Sequence, residues 1–348
     1  MCPRRMSNEK SGERVSMPLR ICVIGCGGLS SRAHGPSLAK YAATHPGTEL
    51  TACCDLDSAK ATRYRQANGF LRQYNDFREM LNVETPDAVC LYVPVTETAR
   101  MSIQLLDLGV PVLLEKPPGM TVDECTAMIN ASESTGTANQ VAFNRRYTPL
   151  VARLRESLRS GFAESDIQNI RYDFFRINRC DADFSTTAIH GIDTVRFLAG
   201  VDYEEIRFTY QPFPELGPTT ANIYLECTFR SGATAQLNFC PVSGVLIERA
   251  TVNLFNHTYF LDVPIWQAFD FPGRLRHLHK GETVEDVEGS QLGDGTELFE
   301  LSGFYHENAA FLDDIREGRS PEGNIRSGLQ SVAIAEAIRN RAAVYRRS

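Results

Sequence analysis

The sequence lacks the features of a membrane-spanning or nucleic-acid-binding protein. None of its hydrophobic runs approaches the ~18 residues that a transmembrane helix requires. Its 36 Lys and Arg residues are outnumbered by 43 Asp and Glu residues, which gives a net charge of −7. Because binding to a nucleic-acid backbone needs a basic face, we expect neither nucleic acid nor a membrane as a partner.

Paired cysteines and an export signal are also missing. The ten cysteines form no CxxC pair, and Cys22, Cys53 and Cys90 lie in runs that predict buried strands. We therefore expect reduced, buried thiols, without a disulfide framework or a metal site. Arg4 and Arg5 are followed by a polar stretch with no apolar segment, which predicts a disordered tail at residues 1–17 and a cytoplasmic location.

The 348 residues exceed one ordinary core and predict two domains. Residues 18–145 alternate apolar, β-branched runs with helical segments of ~10–15 residues, which is typical of right-handed βαβ units. We predict an α/β Rossmann domain with a doubly wound parallel sheet. Its predicted strands cover residues 19–24, 49–54, 88–93, 112–114 and 139–144.

The pattern changes in residues 146–330, where most β-rich runs follow one another without a helix between them. This predicts an α+β domain with a large, mostly antiparallel open sheet, whose uncovered face is expected to pack against a partner. Residues 264–298 predict a long irregular loop. Helices are predicted at 299–316, with a start after Gly303 left open, and at 327–346, so that residues 331–348 form a C-terminal helix.

A glycine-rich turn joins the first strand to the first helix. Gly25, Gly27 and Gly28 allow the backbone to approach a pyrophosphate, although Ser30 replaces the third glycine of GxGxxG. Asp55 ends the second strand, where a carboxylate accepts hydrogen bonds from ribose hydroxyls and repels a 2′-phosphate. NAD is therefore the expected cofactor, and NADP is disfavoured.

Two alternatives stay open for the ribose-binding acid. Asp55 can be a simple turn residue, and Asp57 takes its place if the strand end lies two residues later. The remaining predicted cofactor-binding residues lie in the turn and at the ends of later strands: Leu29, Pro94, Glu115 and Lys116.

The sequence resembles the glucose–fructose oxidoreductase / inositol dehydrogenase / MocA family (Gfo/Idh/MocA) over about residues 18–346. The matching motifs occur in the family's order: Gly25-Cys-Gly27-Gly28 with His34-Gly-Pro36, Cys54-Asp55, Glu115-Lys116-Pro117, Phe143-Asn144-Arg145-Arg146-Tyr147, and His190 with Asp193. The resemblance implies hydride transfer to or from a secondary alcohol or ketone of a sugar, polyol or related small molecule. It also implies a homodimer or homotetramer assembled through the second sheet, and a Lys116-Pro117 peptide that is often cis.

The resemblance implies that Lys116 and His190 form the catalytic pair. A lysine at a strand's carboxyl end can stabilise charge on a substrate oxygen, and histidine suits acid–base chemistry near neutral pH. The alternative for Lys116 is a surface lysine paired with Glu115. The family usually has aspartate where this chain has Thr186, one helical turn before His190; threonine can orient a hydroxyl but cannot take a proton.

Other polar residues lie near these motifs. Asp183 or Asp181 can supply the missing carboxylate, whereas Asp193 is expected to brace the helix. The substrate-binding residues are predicted to be Lys116, Asn144, Arg145, Arg176, Arg179, Asp183, Thr187 and His190. Guanidinium groups match carboxylate or phosphate oxygens, so the substrate can be acidic; an inter-domain ion-pair network is the alternative.

Two other functions remain open. A tightly held NAD can support redox-neutral chemistry, in which the substrate is oxidised and then reduced again. The absence of a carboxylate at position 186 is also compatible with a non-catalytic NAD-binding sensor.

Overall fold

Six parallel strands form the first sheet of the structure, a computed structural model that describes residues 18–293 and 295–347. The predicted tail, residues 1–17, lies outside the described residues. The strand order is β3-β2-β1-β4-β5-β6. The strands are β1 (Leu19–Ile24), β2 (Thr48–Cys54), β3 (Arg72–Tyr74), β4 (Ala88–Leu91), β5 (Val112–Glu115) and β6 (Asn139–Ala142).

Helices cover both faces of this sheet, which explains why its central strands are almost wholly apolar. The helices are α1 (Gly35–Thr44), α2 (Ser58–Asn68), α3 (Phe77–Glu84), α4 (Val95–Asp107) and α5 (Val122–Thr135). The strand order reverses between β1 and β4, and open sheets of this kind bind ligands at that point. The predicted Rossmann domain is confirmed. The short polar strand β3 was not predicted.

Nine strands form the second sheet, in the order β14-β13-β12-β11-β7-β10-β9-β8-β15. They are β7 (Ile167–Phe175), β8 (Tyr203–Pro212), β9 (Ala221–Phe229), β10 (Thr234–Cys240), β11 (Ile247–Leu254), β12 (His257–Asp262), β13 (Arg274–His279), β14 (Glu282–Glu288) and β15 (Val344–Arg346). Neighbouring strands are antiparallel except β7 and β10. Helices α6 (Pro149–Gly161) and α7 (Ser185–Ala199) contact this sheet, and the predicted fold class is confirmed.

The predicted loop over residues 264–298 is wrong in its middle part, where β13 and β14 form a hairpin at the sheet edge. Strand β14 alternates charged side chains with few apolar ones, and in β13 only Leu275 is fully buried. The hydrophobic alternation that marks a strand is therefore weak. The hairpin turns at Lys280 and Gly281, whose φ angles are 51° and 88°.

The C-terminal region contains three helices and an edge strand. The helices are α8 (Leu298–Leu301), α9 (Phe304–Arg316) and α10 (Ile325–Arg339). A break at Gly303 separates α8 from α9, because its φ is 86° and an added Cβ would lie 2.2 Å from the carbonyl oxygen of Asn144. The C-terminal helix, predicted over 327–346 and as a separate segment over 331–348, ends at Arg339 instead. The chain turns at Arg341 and then pairs with β8 as strand β15.

Helices α9 and α10 return to the first sheet. Phe311 and Leu312 of α9 are buried in its core with residues of α1, and Val332 of α10 is buried with residues of α5. Helices α9 and α10 therefore pack against the Rossmann domain and stabilise it. None of the helices in the described part of the chain has the length and apolarity that a membrane span needs.

Candidate active site

The carboxyl edge of the first sheet gathers the predicted cofactor-binding residues. The glycine turn follows β1, Asp55 follows β2, and Pro94 caps the start of α4 after β4. Glu115 ends β5, and Lys116 follows it directly. These four strands are adjacent in the sheet. Segments that are far apart in sequence, from Gly25 to Lys116, therefore share one crevice.

The glycines of the first turn have different local roles. Gly25 has a φ of 100°, and an added Cβ would lie 2.1 Å from the carbonyl oxygen of Tyr92, so no other residue fits there. No atom lies within 4 Å of a Cβ built on Gly27, and on Gly28 only an Arg32 nitrogen does, at 3.9 Å. Helical backbone begins at Gly28, and Leu29 is exposed beside it. A bare turn at a helix start is suited to a pyrophosphate.

Asp55 lies directly beside this turn. Its Oδ2 accepts the backbone N–H of Cys26 at 2.9 Å, and its Oδ1 accepts that of Asp57 at 2.9 Å. Asp57 instead caps α2 by accepting the backbone N–H groups of Ala59 and Lys60. Of the two acids, Asp55 therefore has the position that a ribose-binding carboxylate needs.

Glu115 is held by two hydrogen bonds at the end of β5. Its Oε1 lies 2.8 Å from His34 Nε2, and its Oε2 accepts the backbone N–H of Lys116 at 3.0 Å. Burial pushes the pKa of Glu115 upward, but the His34 hydrogen bond and the Lys116 charge outweigh it, so the pKa lies below its ordinary value. The carboxylate is thus ionised.

Lys116 extends from the first sheet to the start of α7. Its Nζ donates to the backbone carbonyl of Thr186 at 3.3 Å. Burial lowers the pKa of Lys116, the charge of Glu115 opposes this, and the positive charges of Arg145 and Arg179 add to the lowering. The peptide between Lys116 and Pro117 is cis. A partly buried lysine with a lowered pKa can exchange a proton with a bound hydroxyl.

His190 faces the same region from α7 and is 8% exposed. Its Nε2 lies 3.4 Å from Arg145 Nη1, and its buried Nδ1 has no hydrogen-bond partner among the described residues. Burial lowers the pKa of His190 well below its ordinary value, and the charges of Arg145 and Lys116 lower it further. The imidazole is therefore neutral and free to exchange a proton.

Thr186 does not supply an acid at the start of α7. Its hydroxyl donates to the backbone carbonyl of Asp183 at 3.0 Å. The carboxylate of Asp183 pairs with Arg339 at 2.7 Å and accepts the backbone N–H of Ser185. Asp181 pairs with Arg179 at 2.6 Å. Both candidate replacement carboxylates are therefore engaged by arginines.

A buried ion-pair cluster, which we call the Glu248 cluster, lies behind His190 and was missed in the sequence. Both carboxylate oxygens of Glu248 are bonded, by Arg145 at 2.7 and 3.1 Å, by Arg176, and by the Tyr172 hydroxyl at 2.9 Å. Burial raises the pKa of Glu248, but Arg145 and Arg176 lower it to about 2. Arg145 and Arg176 thus form ion pairs, as the alternative of an ion-pair network expects.

The remaining predicted substrate residues lie around this cluster or at its rim. Asn144 accepts from Arg145 Nη1 at 2.9 Å and donates to the carbonyl of Ser302 at 2.8 Å. Arg179 is 42% exposed and donates to the Thr187 hydroxyl at 3.2 Å. Asp193 is separate, because it forms a two-pronged ion pair with Arg146 at 2.6 and 2.7 Å.

A loop of the second domain also contacts the glycine turn. The guanidinium carbon of Arg32 lies 4.0 Å from the centre of the Trp266 ring, and Arg32 Nε donates to the carbonyl of Gly28 at 3.1 Å. Trp266 follows β12, in the segment predicted as an irregular loop. The sequence assigned no role to Trp266, because its place at the crevice depends on a tertiary contact with Arg32.

Comparison with known proteins confirms the resemblance found in the sequence. Residues 19–143 match the family described as "Oxidoreductase family, NAD-binding Rossmann fold" (Gfo/Idh/MocA). The chain is 24% identical over 320 residues to scyllo-inositol 2-dehydrogenase (NAD(+)) of Bacillus subtilis, covering 87% of this chain and 88% of that enzyme. It is 29% identical to D-glucoside 3-dehydrogenase of Escherichia coli, over 42% of this chain and 41% of that enzyme.

A solved structure of levoglucosan dehydrogenase with NADH and levoglucosan has the same fold. The TM-score is 0.80 at 19% identity, and the match covers 95% of this chain and 99% of that one. Among the described residues, no group of three or more His, Cys, Asp or Glu side chains is arranged to hold a metal ion.

Proposed function

With a Gfo/Idh/MocA Rossmann domain at residues 19–143, we propose that this chain is a nicotinamide-dependent oxidoreductase acting on a sugar, a polyol or a related secondary alcohol or ketone. The observation that carries the proposal is the meeting of Lys116 with α7. The lysine ends a strand at the cofactor edge, and its Nζ touches the carbonyl one helical turn before His190. Cofactor edge and acid–base side chains thus converge on one point.

The roles of the site residues follow from their protonation and position. The nicotinamide, when bound, supplies the hydride acceptor or donor. Lys116 holds the substrate oxygen and exchanges its proton, because its lowered pKa keeps a fraction of the amine neutral. His190 is neutral and is the second group able to take or return this single hydroxyl proton, while Thr186 fixes the start of the helix on which His190 lies.

NAD is the proposed cofactor. Gly25, Gly27, Gly28 and Leu29 would hold the pyrophosphate, and Pro94 and Glu115 would lie beside the nicotinamide half. Asp55 supports the choice of NAD, since its carboxylate lies at the turn and would repel a 2′-phosphate. Each of its oxygens accepts one backbone hydrogen bond and retains a lone pair for a ribose hydroxyl.

The substrate site has an excess of positive charge. Arg145 and Arg176 share the single carboxylate of Glu248, and Lys116 adds a further charge opposed by Glu115. Arg179 lies at the rim, where Asp181 and Thr187 hold it. We propose that, between two sugars of equal shape, the one with a carboxylate is preferred.

A spectrophotometric panel of sugars and polyols tests the proposal, with matched neutral and acidic members such as glucose and glucuronate. NADH formation or consumption supports it. Turnover without net NADH change would support the redox-neutral alternative, in which a retained NAD is reduced and reoxidised. Binding of NAD without turnover of any member would support the sensor alternative that Thr186 leaves open.

The assembly is proposed to be a homodimer or homotetramer formed through the second sheet. Helices cover one face of that sheet, while the other face of β7, β10 and β11 bears polar side chains such as Arg171, Asp173 and Thr251. Light scattering at micromolar concentration tests this assembly. A monomer would contradict it.

A further inference from the structure

A chain of buried hydrogen bonds runs from α9 to the catalytic lysine of the proposed function. Asn308, which is fully buried on α9, lies 3.0 Å from His34 Nδ1 through its Nδ2. His34, also fully buried, lies 2.8 Å from Glu115 through its Nε2. Glu115 accepts the backbone N–H of Lys116. Asn308 and His34, which are 274 positions apart in the sequence, are thus hydrogen-bonded directly, and Glu115 continues the chain to Lys116.

The orientation of the Asn308 amide follows from its other partners. Its Nδ2 lies 2.7 Å from the carbonyl of Phe304, which can only accept, and its Oδ1 accepts the hydroxyl of Tyr92 at 2.7 Å. A flipped amide would place two oxygens together at Phe304. The second Nδ2 hydrogen is therefore directed at His34 Nδ1.

The tautomer of His34 follows in turn. Because Asn308 donates to Nδ1, that nitrogen accepts, and the ring proton lies on Nε2, where it is donated to Glu115. The ring is also fixed by stacking on Tyr92, with centroids 3.9 Å apart. Each bond of the chain thus has a defined direction.

A second acid lies beside this chain. Glu307 Oε1 is 3.9 Å from His34 Nδ1, and neither of its carboxylate oxygens has a hydrogen-bond partner among the described residues. Burial and the nearby charge of Glu115 raise the pKa of Glu307 well above its ordinary value. At 3.9 Å Glu307 is too far from Nδ1 to form a hydrogen bond, so it does not compete with Asn308 for that nitrogen.

We propose that His34, oriented by Asn308, is a positioning residue for Lys116, because its Nε2–H holds the Glu115 carboxylate against the backbone of the lysine. This inference rests on the proposed function. Lys116 is faced by Glu115, Arg145, Arg176 and Arg179. Of these groups only Glu115 opposes the lowering of its pKa, so loss of the His34 donor weakens the one favourable charge.

Two substitutions separate positioning from packing. His34→Gln keeps an N–H near Nε2 and loses the ring, whereas His34→Phe keeps the ring stacked on Tyr92 and loses the donor. Positioning predicts that His34→Phe lowers kcat by about tenfold to a hundredfold, the usual effect of losing a hydrogen bond to a charged group, while His34→Gln retains most activity. If His34 acts only through packing, His34→Phe should be the more active of the two variants, and that result would overturn the proposal.

The pH profile gives a second readout. In His34→Phe the carboxylate of Glu115 loses its donor and is more readily protonated, so the lysine limb of alcohol oxidation should move to lower pH. His45→Phe, at the other end of α1, is the matched control and should leave kcat and this limb unchanged. An unmoved limb in His34→Phe would contradict positioning.

Nitrogen-15 NMR of the histidines tests the chain without substrate or cofactor. The chain has seven histidines, and the His34 signal is identified by its loss in His34→Gln. We expect one protonated and one unprotonated ring nitrogen, with the proton on Nε2. A proton on Nδ1 would overturn the inference about His34, whether or not the protein is an oxidoreductase. Conversely, a failure of the oxidoreductase proposal would leave the expected tautomer unaffected.

Discussion

Lys116 Nζ donates to the backbone carbonyl of Thr186 at 3.3 Å, so the end of β5 is joined to the first turn of α7. Position 186 is where the resemblance to the Gfo/Idh/MocA family implies an aspartate. In this chain the lysine meets a carbonyl there, which accepts a hydrogen bond but cannot take a proton. The proposed function therefore assigns the acid–base chemistry to Lys116 and His190.

Lys116→Met should abolish most turnover and retain most of the affinity for NAD. Loss of a general acid–base group costs about 10²- to 10⁴-fold in kcat, whereas the pyrophosphate turn and Asp55 are untouched. Steady-state kinetics and calorimetry with NAD measure the two effects. Lys60→Met, at an exposed site on α2, is the control and should change neither.

The lysine also sets a pH dependence. A neutral amine accepts the hydroxyl proton, so alcohol oxidation should rise with pH through a pKa below the ordinary 10.5 of lysine. Lys116→Arg, which stays protonated, should remove this limb. A limb that persists in Lys116→Arg would show that another group takes the proton.

Thr186→Asp should raise the pKa of His190. A carboxylate one turn away on the same helix face favours the imidazolium and opposes the lowering by burial and Arg145. The limb of the rate profile that reports His190 should therefore move to higher pH. Thr186→Asn has the same shape without the charge and should leave the limb in place; equal profiles for the two variants would exclude His190 as the titrating group.

Asp55→Ser should relax the preference for NAD over NADP. Removing the carboxylate removes both the ribose hydrogen bonds and the repulsion of a 2′-phosphate, and we expect a change of about tenfold or more in the ratio of the two dissociation constants. Asp57→Ser is the control: it alters only the α2 cap and should leave the ratio unchanged. A preference that follows Asp57 would reassign the ribose site.

Glu248→Gln should destabilise the fold by about 3–5 kcal/mol, because Arg145 and Arg176 then keep buried charges without their carboxylate. Denaturant unfolding at pH 7 measures this loss, with Glu226→Gln on the exposed side of β9 as the control. A loss no larger than that of the control would show that the cluster adds nothing to stability.

The same cluster gives a pH dependence whose sign follows from the pKa. The folded pKa of Glu248 is about 2, below the ordinary 4.5 of glutamate. Its contribution is therefore present above pH 4.5 and is lost as the pH falls towards 2. In Glu248→Gln this part of the decline in stability should be absent.

The local motifs could be predicted from the sequence because their geometry depends on near neighbours. The glycine turn, Asp55 and Lys116 each follow an apolar strand, and the carboxyl ends of parallel strands meet at one edge. Their shared location follows from topology alone. The first sheet was predictable for the same reason.

The Glu248 cluster was not predicted, because it joins residues about 70 to 100 positions apart in the sequence. A signal did exist. Glu248 is in phase with Ala250, Val252 and Leu254, all buried in β11, and a carboxylate at such a position needs a buried partner. Which residues pair with Glu248 depends on the tertiary structure and cannot be inferred from the local sequence.

The edge elements were missed for a different reason. Strands β14 and β15 at the two ends of the second sheet bear charged side chains and lack hydrophobic alternation. Such strands are stabilised by pairing with a neighbour. Pairing partners are set by the whole sheet, so the local pattern of residues 264–298 and 340–346 indicated a loop and a helix instead.

Calorimetric titration of the purified chain with NAD and, separately, with NADP tests the central claim most directly. The account predicts that NAD binds, at one site per chain and more tightly than NADP. If neither dinucleotide binds, the glycine turn, Asp55 and Lys116 do not form a cofactor site, and the proposed oxidoreductase function is wrong.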